Sequence, residues 1–161
     1  MPPATRPPVA LGKAEARRLW LAAQRLDVAA PFGAGPAATR SAVEHLGYVQ
    51  IDTINVIERC HHHILWTRIP DYRRAHLHQA QTIDKSVFEY WTHALSYVPA
   101  RDLRFFLPAM KRHRAEPNLW FGAVPKADLA KVMRLIREEG ALSIRDIEDD
   151  VLIDKDHPWA S

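Results

Sequence analysis

The chain has 161 residues, 47% of them hydrophobic and 25% charged, with a formal net charge of +3. This is globular composition: no apolar run approaches the ~20 residues that span a bilayer, and the mild positive charge permits a polyanionic partner without naming one. A single cysteine, Cys60, excludes an internal disulfide, and a zinc site would need other ligands as well.

The opening "MPPATRPPVALGK" sets prolines where a secretory signal has its apolar segment, so a cytoplasmic protein is expected. Residues 1–12 read as a flexible lead-in. "KAEARRLWLAAQRL" places Ala16, Leu19, Ala23 and Leu26 at helical spacing. "APFGAGP" breaks that helix, and "AATRSAVEHLG" resumes a helical pattern through Ala38, Ala42, Val43 and Leu46 before Gly47, a residue suited to a left-handed cap.

"YVQIDTINVIE" is rich in β-branched residues and predicts a strand over Tyr48 to Thr53. "RCHHHILWTRI" has helical character up to Pro70, which pushes Ile69 out of the α region. A further helix is expected in "YRRAHLHQAQ". The aromatic and β-branched run "SVFEYWTHALSYVPA" predicts a β-hairpin turning near "THAL".

"ARDLRFFLPAMKRHR" continues as a helix with a kink at Pro108 and a basic end. After a loop, "KADLAKVMRLIREEG" sets Leu129, Val132, Met133 and Ile136 on one helical face and closes on Gly140. "LSIRDIEDDV" then offers Ser143 and Asp146 in an approximate cap, with Ile144, Ile147 and Val151 on one stripe. Helices followed by a hairpin give the order of a winged helix, and the last segments are how a second such unit would begin.

The expected class is therefore mainly α with short β-hairpins (α+β), a winged helix-turn-helix. Residues 13–120 form the first domain with an appended helix, and residues 121–161 the truncated start of a second. On this reading the chain is the front part of a longer protein; a natural short chain with a helical tail is the alternative.

Two stretches carry candidate chemistry. His61, His62 and His63 beside Cys60 suggest a metal, but adjacent residues on a helix point ~100° apart and cannot converge on one ion. Core or surface histidines are the plainer account, and no metal is expected.

Gln50 and Asp52, by contrast, share a face if the strand is extended, with origins ~6.5 to 7 Å apart. A carboxylate there can deprotonate water and offset charge developing on a sugar carbon, while an amide fixes that water. Polar residues of an edge strand that simply face water are the commoner meaning of such a triplet. The chain contains no GxSxG, P-loop or GxGxxG.

The segments "ARRLWLAAQRL", "HLGYVQIDTINVIERCHHHILWTRIPDY" and "FEYWTHALSYVP" together resemble the YcaQ-type branch of the winged-helix DNA glycosylases, related to the AlkZ-type enzymes that unhook DNA crosslinks. The resemblance covers most of Lys13 to Pro99. It implies tandem winged helices followed by a β-domain, and a catalytic signature of Gln, an apolar residue, then Asp or Gln.

Here that signature is Gln50, Ile51, Asp52, which makes Asp52 the general base and Gln50 the residue positioning the water. The implied substrates are alkylated or crosslinked purines in double-stranded DNA, hydrolysed without a cofactor and without a Schiff base. The protein would be a monomer associated with the nucleoid.

Candidate DNA contacts are His62, Arg68, Tyr90, Trp91, His93 and Arg112, with Arg73, Arg74, Lys111 and Arg114 as further phosphate binders. Trp91 reads more readily as core than as a stacking platform. Two other function classes stand beside the glycosylase: a non-enzymatic winged-helix regulator, and a metal-dependent hydrolase built on "CHHH".

Overall fold

A computed structural model of the chain describes residues 8–52, 54–116, 124–142 and 146–147. The described residues group into two compact units, one up to Met110 and one from Lys111.

The first unit begins with α1 (Lys13–Ala23), whose first amide is closed by Glu15: its Oε2 accepts from Gly12 N at 2.8 Å. Of the residues that set its helical spacing, Leu19 is exposed, as is the neighbouring Trp20, and Leu26 falls beyond its end. The helix is instead fastened by its C-terminal end, where Ala23 O meets His45 Nε2 at 2.8 Å.

Helix α2 (Gly35–Leu46) is the central core element. Asp71 receives the Gly35 N–H on both carboxylate oxygens, at 3.2 and 3.1 Å, which stabilises the helix's positive end. Ala38, Thr39, Ala42 and Val43 are buried along its inner face. Gly47 ends it at φ +80°, a conformation that glycine adopts without a Cβ penalty, so the chain turns there into the sheet.

The strand predicted over Tyr48 to Thr53 is shorter: β1 is Val49–Gln50, with one further ladder bond from Ile51 N to Leu95 O at 2.8 Å. Helices α3 (Cys60–Trp66) and α4 (Arg74–Thr82) follow, separated by the turn through Pro70. The hairpin is β2 (Val87–Trp91) and β3 (Leu95–Pro99), turning through residues 92–94 within the expected "THAL".

The sheet is antiparallel in the order β1-β3-β2, with Gln50 opposite Ser96 and Tyr90 opposite Ser96 on the other side. Val43, Val49, Leu65, Ile69, Leu77, Ala80 and Val87 form the core between α2, α3, α4 and the sheet. A side chain such as Leu65, with no exposed surface, contributes ~2–5 kcal/mol relative to alanine.

Helix α5 (Leu103–Ala115) keeps Pro108 inside it, and Phe106 packs against Phe88 and Tyr90 of β2. Helix α6 (Lys126–Glu139) ends at Gly140, also at positive φ (+90°). Most of the predicted "LSIRDIEDDV" unit, including Ser143, Ile144 and Val151, lies outside the described residues. The architecture is α+β and winged-helix-like, and among the described residues no helix is long and apolar enough to cross a membrane.

Candidate functional site

Gln50 is brought to the hairpin turn by sheet register. Its pairing with Ser96 sets it beside residues 92–94, and its Oε1 lies 3.1 Å from His93 Nε2. A carboxamide oxygen only accepts, so His93 donates from Nε2. The bond uses the oxygen of Gln50 and leaves its NH2 for another acceptor. Tyr48 packs edge-on against the His93 ring, with centroids 5.3 Å apart.

Asp52 lies beyond β1, so the strand geometry that would set it on the face of Gln50 stops short of it. Its side chain folds back instead: Oδ1 accepts from Ile54 N at 2.9 Å, an Asx turn that starts the segment leading to α3. Its other oxygen has no hydrogen-bond partner among the described residues. Asp52 is half-buried, within electrostatic reach of His61.

The three histidines occupy three different environments. His61 is 3% exposed, its ring 4.1 Å from that of His62 and 5.6 Å from Tyr97, and its Nδ1 is buried without a partner among the described residues. Burial, then the neighbouring His62 and Arg59, push its pKa down to about 4, so it is neutral at physiological pH.

His62 sits 2.7 Å by Nδ1 from Tyr72 Oη. Burial raises the Tyr72 phenol well above its ordinary value and lowers His62, so a neutral phenol donates to a neutral imidazole. His63 donates from Nε2 to Glu58 O at 3.1 Å. Among the described residues no group of three or more His, Cys, Asp or Glu side chains is arranged to hold a metal ion.

The half-buried Tyr97 phenol, pushed up to about 12 chiefly by desolvation, packs edge-on against His61. An open cleft of about 320 Å³ adjoins this group, lined by Ile57, Glu58, His62, Trp66, Tyr72 and Arg74. Within it Arg74 pairs with Glu58, whose carboxyl is held below its usual range, chiefly by the Arg59 N–H and also by Arg74.

The other predicted DNA contacts separate by environment. Arg68 corrects the expectation: it is 6% exposed and donates to Gln24 O, Gln24 Oε1, Ile64 O and Thr67 Oγ1 at 2.9 to 3.2 Å. Its guanidinium joins the ends of α1 and α3 inside the fold. Trp91 also departs from the expectation of a core residue, being 65% exposed at the end of β2.

Tyr90 is half-buried against Phe106, with centroids 4.9 Å apart, so at most its edge is open to a ligand. His93 is exposed at the hairpin turn. Arg112 is exposed on α5 in the second unit, as are Lys111 and Arg114. Sequence reasoning named His61 only with its two neighbours and missed Tyr72 and the exposed Val56 and Ile57, because only burial and long-range packing set them apart.

Fold and site together define a winged-helix-like protein with an amide and an acid beside an aromatic hairpin. The family model described as "DNA glycosylase AlkZ-like" matches residues 43–161, and the chain belongs to that family. The match begins within α2 and takes in Gln50, Asp52, the histidines and the hairpin. Membership supports a role in DNA repair by base removal. No solved structure matches the chain.

Proposed function

We propose that the protein is a monofunctional DNA glycosylase that hydrolyses the N-glycosidic bond of alkylated purines, including purines tied in interstrand crosslinks. The observation that carries this reading is the division of labour at the motif. Among the described residues, Gln50 has its oxygen fixed by His93 and no partner on its NH2, while Asp52 keeps one carboxylate oxygen without a partner.

The reaction needs little else. Alkylation at N7 or N3 gives the purine a positive charge, so it departs with the glycosidic electron pair as a neutral base. Water adds to C1′ as the C1′–N bond breaks; Asp52 takes the water's proton and offsets the oxocarbenium charge, and Gln50 orients the water. No lysine Schiff base enters, so the product is an intact strand with an abasic site. The exposed His93 and Trp91 on the hairpin, with His62 and the edge of Tyr90, are the side chains this reading assigns to the lesion, and Arg112 to backbone phosphate.

The test is base release from a duplex containing N7-methylguanine, read as alkali-labile sites, and gel separation of a crosslinked duplex. Asp52→Asn is expected to reduce release by at least ~100-fold, the scale of general-base catalysis. Equal release by the variant would remove Asp52 from the chemistry. No release by the parent chain would leave the regulator, in which a winged helix binds DNA without chemistry.

A further inference from the structure

The segment between Asp52 and α3 has an arrangement that the hydrolytic reading does not use. Ile54 is 67% exposed, Val56 89% and Ile57 88%. A mobile tail could carry such residues at little consequence, but residues 54–59 are fastened at several points. Asp52 Oδ1 holds the Ile54 amide, Asn55 and Arg59 close the loop as an antiparallel bridge, and Glu58 is tied by its carbonyl to His63 and by its carboxylate to Arg74. Two adjacent aliphatic side chains are thus presented to solvent on a narrow, braced tip.

Three properties decide what covers that tip. It is small: a few aliphatic side chains fall well short of the ~800 Å² per partner of a stable protein interface, which argues against a second copy of the chain. It is flanked by a cation: Arg59 is exposed and forms no ion pair among the described residues, while of the two carboxylates at the loop Glu58 is answered by Arg74 and Asp52 is turned back onto the Ile54 amide. It is continuous with the motif, since the side chain of Asp52 itself caps the loop. Apolar residues beside an exposed guanidinium suit a stacked polyanion, where the aliphatic groups enter between bases and the Arg59 guanidinium meets a phosphate.

We infer that Val56 and Ile57 form a wedge that enters the base stack of duplex DNA beside the target nucleotide, filling the gap left when that nucleotide is extruded. The inference rests on the glycosylase reading for the position of the lesion; unstacking itself requires no chemistry. The wedge matters only where a stack has to be opened, so it makes the protein selective for duplex over already unpaired substrate.

The experiment uses the whole chain and the double variant Val56→Ser/Ile57→Ser, with Ile57→Leu as an apolar control. The first probe is a duplex carrying 2-aminopurine beside a tetrahydrofuran abasic analogue, whose fluorescence rises on unstacking. The parent and the leucine control are expected to raise the signal, and the double serine variant to lose most of the rise. Because both side chains already face water, all three proteins should melt at the same temperature.

The second probe is base release from the same N7-methylguanine strand, double- or single-stranded. The serine variant should lose ~10-fold or more on the duplex and less than ~2-fold on the single strand, since the wedge acts on stacking alone. An equal fluorescence rise with the serine variant, no rise with the parent, or equal losses on both substrates would overturn the wedge. So would a parent dimer that the serine variant dissolves. No release by the parent on either strand form, with the fluorescence rise intact, would sink the glycosylase reading and leave the wedge standing.

Discussion

Gln50 and His93, separated by 43 residues of chain, meet through a 3.1 Å hydrogen bond from the hairpin turn to the amide on β1. The bond selects which end of the amide is free. His93→Ala releases the Gln50 side chain to rotate, and base release is expected to fall ~3- to 10-fold, the cost of losing one positioning interaction. His93 is exposed at the hairpin turn, so the melting temperature should stay where it is. Single-turnover kinetics beside a thermal melt separate the two readouts.

Asp52 has two tasks that substitution can divide. Asparagine keeps a carbonyl oxygen for the Ile54 N–H and removes the charge; alanine removes both. Asp52→Asn should therefore leave the fold unchanged while abolishing release, whereas Asp52→Ala should additionally loosen the 54–58 loop and lower stability by ~0.5–1.5 kcal/mol. Amide hydrogen exchange at Ile54 is the direct check: slow in the parent and in Asp52→Asn, fast in Asp52→Ala.

Arg68 is a fastening inside the fold. Its four bonds tie Gln24 at the end of α1 to Ile64 and Thr67 at the end of α3. Arg68→Met is expected to cost ~2–3 kcal/mol in urea denaturation, because it removes the donors to Gln24 O and Oε1 and one of those to Ile64 O, and Arg68→Lys should restore little, lacking the planar fork. The salt dependence of DNA binding, which counts phosphate contacts, should be the same in Arg68→Lys as in the parent.

His61 makes stability depend on pH with a definite sign. Its folded pKa, about 4, lies below the ordinary histidine value, so between about 4 and 6.5 the unfolded chain binds a proton that the native state does not. Stability is full above pH 6.5, falls as the pH is lowered through that window, and levels off below about 4. The loss is on the order of 1–3 kcal/mol at ~1.4 kcal/mol per pH unit, with His62 shifted the same way. His61→Phe should flatten this part of the profile in a series of urea melts from pH 7.5 to 4.

Much of the fold was legible because it is set by local stereochemistry. Gly47 stops α2 at a positive φ, Pro70 separates α3 from α4, and the β-branched and aromatic run from Val87 to Pro99 forms a hairpin about the expected turn. The failures were questions of partnership. The spacing of Ala16, Leu19, Ala23 and Leu26 marked a helix in α1 and left open what it packs against; Leu19 and Trp20 are exposed. β1 stops after Gln50, since the side chain of Asp52 competes for the backbone and turns it aside.

The sequence by itself determined the elements, the Gln50-Ile51-Asp52 motif and the family, because turn residues, periodicity and a distinctive run of side chains are carried along the chain. Tertiary structure decided which of three adjacent histidines is buried, that Arg68 serves the fold, and that His93 reaches Gln50. Each of those depends on what arrives from tens of residues away. Burial and hydrogen bonding are properties of a neighbourhood, and a neighbourhood exists only after the chain has folded.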